Sequence, residues 1–299
     1  MDENIPIGQG HGVAGRYAGL PDQFCDLSTS EIVILSVPFD QTSTYQKGSH
    51  KGPDALIEAS RNMELYDIET ESEVYQKGIF TDAAIQGETS ELMLALTYQR
   101  TKELLDLGKF VMTIGGEHSI SYASIRAHAE HEGSLTVLQF DAHSDLQNAY
   151  ENNPWSHASV MARVKEIPQV TKIVSVGIRS MSSEELTNLD RANTFFAHEL
   201  DERGEWMDRL LEKLTGPLYL TFDLDVFDSS LMPSTGTPEP GGLNWNQIMT
   251  VLKKVIKQKR VVGCDIVELC PNPYNPAPDY LAAKLVYKIL SYKFYSNKL

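Results

Sequence analysis

Six side chains able to ligate a cation fall in three short stretches of the chain. They are His118 in Gly115-Gly116-Glu117-His118-Ser119, the trio Asp141, His143 and Asp145 in Asp141-Ala142-His143-Ser144-Asp145, and the pair Asp223 and Asp225 around Leu224. Four carboxylates and two imidazoles gathered at one place repel one another and resist burial unless cations pair them. The set exceeds what a four-coordinate zinc site uses, and no cysteine is near. Bridging carboxylates let six side chains serve two divalent ions while leaving positions for water. Oxygen-rich ligation with a minority of imidazole suits Mn2+ better than Zn2+, with Ni2+ or Co2+ as substitutes. Water shared by two ions roughly 3.5–4 Å apart loses a proton near neutral pH and becomes a nucleophile. The chemistry expected is metal-assisted hydrolysis by a two-ion centre.

Taken singly, each stretch has a plainer account: a surface Asp/His turn, a hydrophilic turn after a strand, or a tight glycine turn before a helix. What joins them is position. Each follows a hydrophobic run that reads as a buried strand: Phe110 to Ile114, Leu135 to Phe140, and Leu218 to Phe222. Alternation along an extended chain predicts Asp141, His143 and Asp145 on one side, and pairs Asp223 with Asp225 in the same way. Asp228 then follows as a candidate cap or loop brace.

Further elements are expected around these runs. Glu31 to Val37 reads as the first strand, and Gly52-Pro53-Asp54 opens a helix with proline at an early position. Helical patterns cover Glu88 to Leu107, Ser119 to Ala129, Ala158 to Glu166, Glu184 to Asp190, Trp206 to Leu214, Trp245 to Lys257 and Tyr280 to Tyr292. Strands are expected at Ile173 and at Val261 to Val267. This alternation predicts an α/β protein with three α/β/α layers and a mostly parallel sheet. The carboxyl edge of such a sheet is the ligand-binding edge. No repeat or linker divides the chain, so one domain over 1–299 is expected, with residues 1–30 as an N-terminal arm.

Composition narrows the function classes. The chain has 299 residues and a net charge of −15, which argues against nucleic-acid or anionic-membrane partners and favours cations. No run is apolar enough to span a bilayer, and Met1 to Tyr17 lacks the apolar stretch of a signal peptide. Cys25, Cys264 and Cys270 make no CxxC pair and read as reduced thiols of a cytoplasmic protein.

The chain resembles the ureohydrolase (arginase/agmatinase) family, most of all its agmatinase-like branch. The marks are Gly115 to Ser119, Phe140 to Asp145, Ser156-His157-Ala158, Gly177-Ile178-Arg179-Ser180, Phe222 to Asp225, Gly236 to Gly242 and Val267-Glu268. The resemblance implies a dinuclear manganese hydrolase that cleaves a guanidino group to urea and an amine. It implies His118, Asp141, Asp145 and Asp223 on one ion, and Asp141, His143, Asp223 and Asp225 on the other. It also implies a homo-oligomer, trimer or hexamer, and a place in polyamine biosynthesis if agmatine is converted to putrescine.

Glu268 follows the last predicted strand, where a carboxylate can grip a planar, always-protonated guanidinium through two hydrogen bonds. The family position of His157 is that of a proton-relay histidine, and Asp145 is a second candidate for that transfer. The arginase stretch that grips an α-amino acid is not visible between Asp145 and His157, where Gln147 and Asn153 stand as candidate tail contacts. Agmatine is the expected substrate. Guanidinobutyrate, guanidinopropionate and arginine stay open, as does a dinuclear phosphoesterase, although the clusters carry no Lys or Arg to hold phosphate.

Other features carry less. Gly8-Gln9-Gly10-His11-Gly12 looks like a phosphate loop but follows no strand, and reads as a flexible arm. His128 and His131 share a helix with Glu130 and Glu132 and are expected on a solvated surface. His50 and His198 show no partner pattern, and the aromatic run Tyr287 to Tyr295 is expected in the core or a subunit contact.

Overall fold

The structure, a computed structural model, describes residues 15–200 and 204–299. Eight strands run β1 Ile32–Val37, β2 Ile79–Thr81, β3 Phe110–Gly115, β4 Leu135–Phe140, β5 Val170–Ile178, β6 Thr194–Phe196, β7 Pro217–Asp223 and β8 Arg260–Val267. They form one sheet in the order β2-β1-β3-β8-β7-β4-β5-β6, and every neighbouring pair is parallel. Helices α1 Gly52–Ser60, α2 Ser90–Asp106, α3 Ser121–Glu132, α4 Val160–Val164, α5 Glu205–Lys213, α6 Trp245–Gln258 and α7 Ala277–Phe294 connect them.

A parallel sheet covered on both sides needs apolar residues at successive positions, and β1 shows why. Ile32 and Ile34 pack into the main core with α1, α5, α6 and α7, while Val33, Leu35 and Val37 face α2 and α3. A third cluster joins α3 and α4 to β4. Three layers result, as expected. Thr89 caps α2 through the Leu92 N–H, and Asn244 with Gln247 forms a reciprocal cap on α6.

Several boundaries differ from expectation. The short edge strands β2 and β6 carry no apolar run of their own. The Glu184 to Asp190 stretch closes as a 3-10 turn at Ser183–Thr187, and α4 is only five residues long. The expectation for His128 is overturned. Its side chain is buried, and its Nδ1 lies 2.8 Å from the Ser124 carbonyl. An added Cβ at Gly263 would stand 2.2 Å from its Nε2. The ring meets β8 where residue 263 has no side chain, while Glu130 is exposed and Glu132 pairs with Arg260 of β8. His131 is exposed.

Of the segment read as an arm, residues 1–14 lie outside the described residues, as do His11 and the Gly8 to Gly12 stretch. Tyr17, Ala18 and Leu20 are buried, and Tyr17 donates to the Ala283 carbonyl at 2.8 Å. Tyr287 and Tyr292 are core residues. Cys264 is buried, Cys25 and Cys270 are partly so, and none forms a disulfide. Among the described residues no helix is long and apolar enough to cross a membrane.

Candidate metal centre

Four adjacent strands, β3, β8, β7 and β4, deliver the site at their carboxyl ends. His118 opens a turn three residues beyond β3, the Asp141–Asp145 trio follows β4, Asp223 closes β7, and Glu268 follows β8. The strand order changes sense here: β4, β5 and β6 run outward on one side, and β7 and β8 return to fill the gap between β4 and β3, leaving a crevice at the carboxyl edge. That crevice is where parallel sheets bind ligands.

The aspartates do not converge by extended alternation, and that part of the sequence reasoning is corrected. Asp145 lies in the left-handed region at φ 53°, which swings its carboxylate back toward His118. Asp225 sits in a 3-10 turn capped by Asp223, whose Oδ1 accepts the Asp225 N–H at 2.8 Å. Local turns therefore gather the groups, where a straight strand would have spread them. Asp228 is the loop brace expected: it accepts from Ser230, Gly241 and Gly242, and these bonds hold its carboxyl at about 2.

His118 shows what the cluster is built to hold. Its Nδ1 stands 2.9 Å from Asp145 Oδ2, 3.1 Å from Asp141 Oδ2 and 3.4 Å from Asp223 Oδ2, yet makes no well-aligned hydrogen bond. Its Nε2 lies 2.8 Å from Thr221 Oγ1, which gives its own proton to Asp265 Oδ1 at 2.8 Å. Nε2 is therefore an N–H, so Nδ1 meets three carboxylates either as a bare lone pair or as a proton standing where a cation would. Burial disfavours charge on the ring, but Asp141 and Asp145 outweigh it and raise its pKa well above the ordinary value. A cation among those four atoms removes the conflict. The residues present fit a metal.

Protonation tells the same story. Burial first, then Asp145 and Asp225, push Asp141 up to about 7. Burial, with Asp225, Asp141 and Glu268 beside it, drives Asp223 well above the carboxylate range. For Asp225 burial acts upward too, but its contact with His143 outweighs it and holds the acid at about 2. Burial disfavours charge on His143, while Asp225, Asp141 and Asp145 overcome this and lift it to about 10. Without a cation, Asp141 and Asp223 are driven toward protonation, while Asp225 stays ionised against a charged His143.

Two groups of three donors emerge, His118 with Asp141 and Asp145, and Asp141 with His143 and Asp225, each within 4.8 Å. Asp141 belongs to both. His143 Nδ1 lies 2.8 Å from Asp225 Oδ2, and its Nε2 faces Glu239 at 3.9 Å. All six residues singled out from the sequence meet at one place.

A pocket of about 200 Å³ opens over this cluster, lined also by Glu268, His157, Gln147, Tyr150 and Thr237. Glu268, at φ 67°, accepts the His118 backbone N–H through Oε1 at 2.8 Å. Burial and then Glu117 raise its carboxyl well above the usual range. Asn153 does not line this pocket. It belongs to an adjoining polar cavity of about 440 Å³ that shares Thr44 and Tyr150 with the first.

Sequence reasoning missed the supports. Thr221 and Asp265 are polar interruptions in the apolar runs of β7 and β8, a signal that could have marked them. Glu185 accepts from Ser144 Oγ and Leu146 N and fixes the turn through Asp145. Arg179 donates to the carbonyls of Asp225, Phe227, Glu239 and Pro240, tying the β7 turn to the Gly236 to Gly242 loop. Its contacts are all backbone, which no side-chain pattern announces.

Residues 30–291 match the model of the arginase family. The N(1)-aminopropylagmatine ureohydrolase of Synechocystis is 33% identical over 93% of this chain and 95% of its own. The agmatinase of Pyrococcus horikoshii is 30% identical over 89% of this chain and 93% of its own. The agmatine ureohydrolase of Thermoplasma volcanium superposes with a TM-score of 0.83 at 28% identity, covering 91% of this chain and 93% of that one.

Proposed function

The chain belongs to the arginase family of metal-dependent amidinohydrolases, and from that premise we propose that it is a dinuclear manganese enzyme converting agmatine to putrescine and urea. The convergence of the six donors beneath Glu268 is the observation that carries this reading. His118, Asp141, Asp145 and Asp223 would hold one ion, and Asp141, His143, Asp223 and Asp225 the other. Bound there, two divalent cations supply the positive charge that lowers the pKa of water near neutral pH.

The chain's own residues supply the rest. Glu268 has one oxygen fixed by the His118 N–H, so its carboxylate is already oriented when a guanidinium arrives. Each carboxylate oxygen has two acceptor positions, which leaves room for guanidinium N–H donors. Gly236 allows close approach on that side, since an added Cβ would stand 3.3 Å from Glu268 Oε2. Water adds to the guanidino carbon, the bond to the alkyl nitrogen breaks, and that nitrogen leaves with a proton. His157 moves this proton, with Asp145 as the second candidate.

Gln147 stands where the substrate tail leaves the guanidinium pocket, and Asn153 lies farther out. The adjoining cavity favours a second reading, N(1)-aminopropylagmatine, whose longer tail would pass Thr44 and Tyr150. The remaining proposals are one ureohydrolase domain over 1–299 with residues 1–30 as an arm, a cytoplasmic homo-oligomer, and a role in polyamine synthesis. Urea release from a panel of guanidino compounds after Mn2+ loading tests the function, with a phosphate ester as control. Phosphate release without urea would overturn it.

A further inference from the structure

Glu117 is fully buried, one residue before a metal-facing histidine, yet it points away from the donor cluster. Its carboxylate accepts five hydrogen bonds. Oε2 receives Thr42 N at 2.7 Å, Ser43 N at 2.9 Å and Ser43 Oγ at 3.2 Å. Oε1 receives Thr42 Oγ1 at 2.6 Å and Ser119 Oγ at 2.7 Å. The loop after β1 is thereby clamped on the turn after β3. Gly116 permits the approach, since a Cβ there would stand 2.0 Å from the Phe39 carbonyl oxygen.

Thr42 carries this clamp to His157. Its Oγ1 receives the His157 backbone N–H at 3.0 Å and lies 3.2 Å from His157 Nδ1. The hydroxyl has one proton and two takers, a carboxylate oxygen at 2.6 Å and a ring nitrogen at 3.2 Å. The shorter, charge-assisted bond takes it. Thr42 Oγ1 is then an acceptor toward the ring, so Nδ1 must carry a hydrogen. Ser156 Oγ is 3.5 Å from Nδ1, too long to compete. Neutral His157 therefore keeps its lone pair on Nε2, and the ring lines the substrate pocket.

We propose that Glu117, acting through the Thr42 hydroxyl, is the positioning group that holds His157 as the Nδ1–H tautomer with Nε2 basic. The proposal rests on the reading of His157 as proton carrier. Nε2 takes a proton released from water, and the same nitrogen hands it to the departing amine as the carbon–nitrogen bond breaks. The ring ends as it began. The opposite tautomer would present an N–H to the pocket and could not accept that proton.

Thr42→Val removes only the hydroxyl, and the Thr42 and Ser43 N–H bonds to Glu117 remain to hold the loop. Thr42→Ser restores the hydroxyl. With metal-loaded enzyme and agmatine, Thr42→Val should lower kcat by about tenfold to a hundredfold while KM changes less than about threefold. Thr42→Ser should stay within about threefold of the parent, and all three proteins should hold equal metal. The tautomer is read directly by 15N NMR of histidine-labelled protein loaded with diamagnetic Zn2+, the resonance assigned by its loss in His157→Asn. Parent and Thr42→Ser should show Nδ1 protonated and Nε2 bare, and Thr42→Val a mixture. A bare Nδ1 in the parent, an unchanged kcat in Thr42→Val, or metal lost in step with rate overturns the proposal. Full activity in His157→Asn would instead remove the relay reading, and the NMR result would still decide the clamp.

Discussion

Glu268 Oε1 accepts the backbone N–H of His118 at 2.8 Å, so the acid after β8 and the donor after β3 are held by one hydrogen bond. The group proposed to orient substrate is thus built into the scaffold of the group proposed to hold metal. Glu268→Gln keeps an acceptor for that N–H and loses the charge that matches a guanidinium. It should lower kcat/KM by about a hundredfold or more with every guanidino substrate while metal content stays at the parent level. Glu268→Ala should lower metal content as well. Equal metal loss in both variants would make Glu268 structural.

The two donor groups share Asp141, which would make two bound ions interdependent. Asp141→Ala or Asp223→Ala should abolish activity and sharply reduce bound metal. Asp225→Ala should leave one site largely filled, because His118, Asp141 and Asp145 remain. Elemental analysis of active enzyme should find about two Mn2+ per chain. Chelation should lower the melting temperature, since a ligand of the folded chain alone stabilises it by mass action. One zinc per chain in active enzyme would sink the manganese centre.

Parallel strands buried on both faces announce themselves as apolar runs, and for that reason the central strands and the residues at their ends were legible. The manner of convergence was not. A period-two rule cannot foresee the left-handed backbone of Asp145 or the 3-10 turn at Asp225. Glu117 stood unread inside a quoted motif because its partners, Thr42 and Ser43, are some 75 positions away. His128 failed for a related reason. Its acidic helix neighbours set the expectation, while the glycine that makes room for it lies on β8.

His128 predicts an acid sensitivity separate from the metal site. Burial is the main cause that lowers its pKa to about 4, against an ordinary value of 6.5. The folded chain therefore keeps the ring neutral while the unfolded chain protonates it. Its contribution is complete above about pH 6.5 and is lost as pH falls toward about 4, a total of about 3 kcal/mol. Urea unfolding between about pH 4.5 and 7.5 should show His128→Gln with a shallower decline on the acid side, by up to one proton in slope. Gly263→Ala should destabilise at all these pH values, because its Cβ would meet the ring at 2.2 Å. Parallel profiles for parent and His128→Gln would refute the assignment.

On the proposed reading, tail recognition would divide between two cavities, and that division yields the substrate prediction. Gln147 lines the pocket over the donor cluster, whereas Asn153 lines the adjoining cavity beyond Thr44 and Tyr150. On that reading, a guanidino substrate with a four-carbon tail would meet the first, and a tail extended by an aminopropyl group would reach the second. Glu151 and Lys47 both line the outer cavity, so its charge is mixed and does not by itself select an amine. The net charge of −15 favours a cationic tail over a carboxylate, which places guanidinobutyrate and arginine below agmatine. Gln147→Ala should raise KM for short and long substrates alike, by about three- to tenfold for the loss of a tail contact. Asn153→Ala should change KM only for the extended substrate. If Asn153→Ala shifts both equally, the outer cavity is no part of the tail path. If arginine or guanidinobutyrate is hydrolysed more efficiently than either amine, the tail reading falls and the amidinohydrolase chemistry stands.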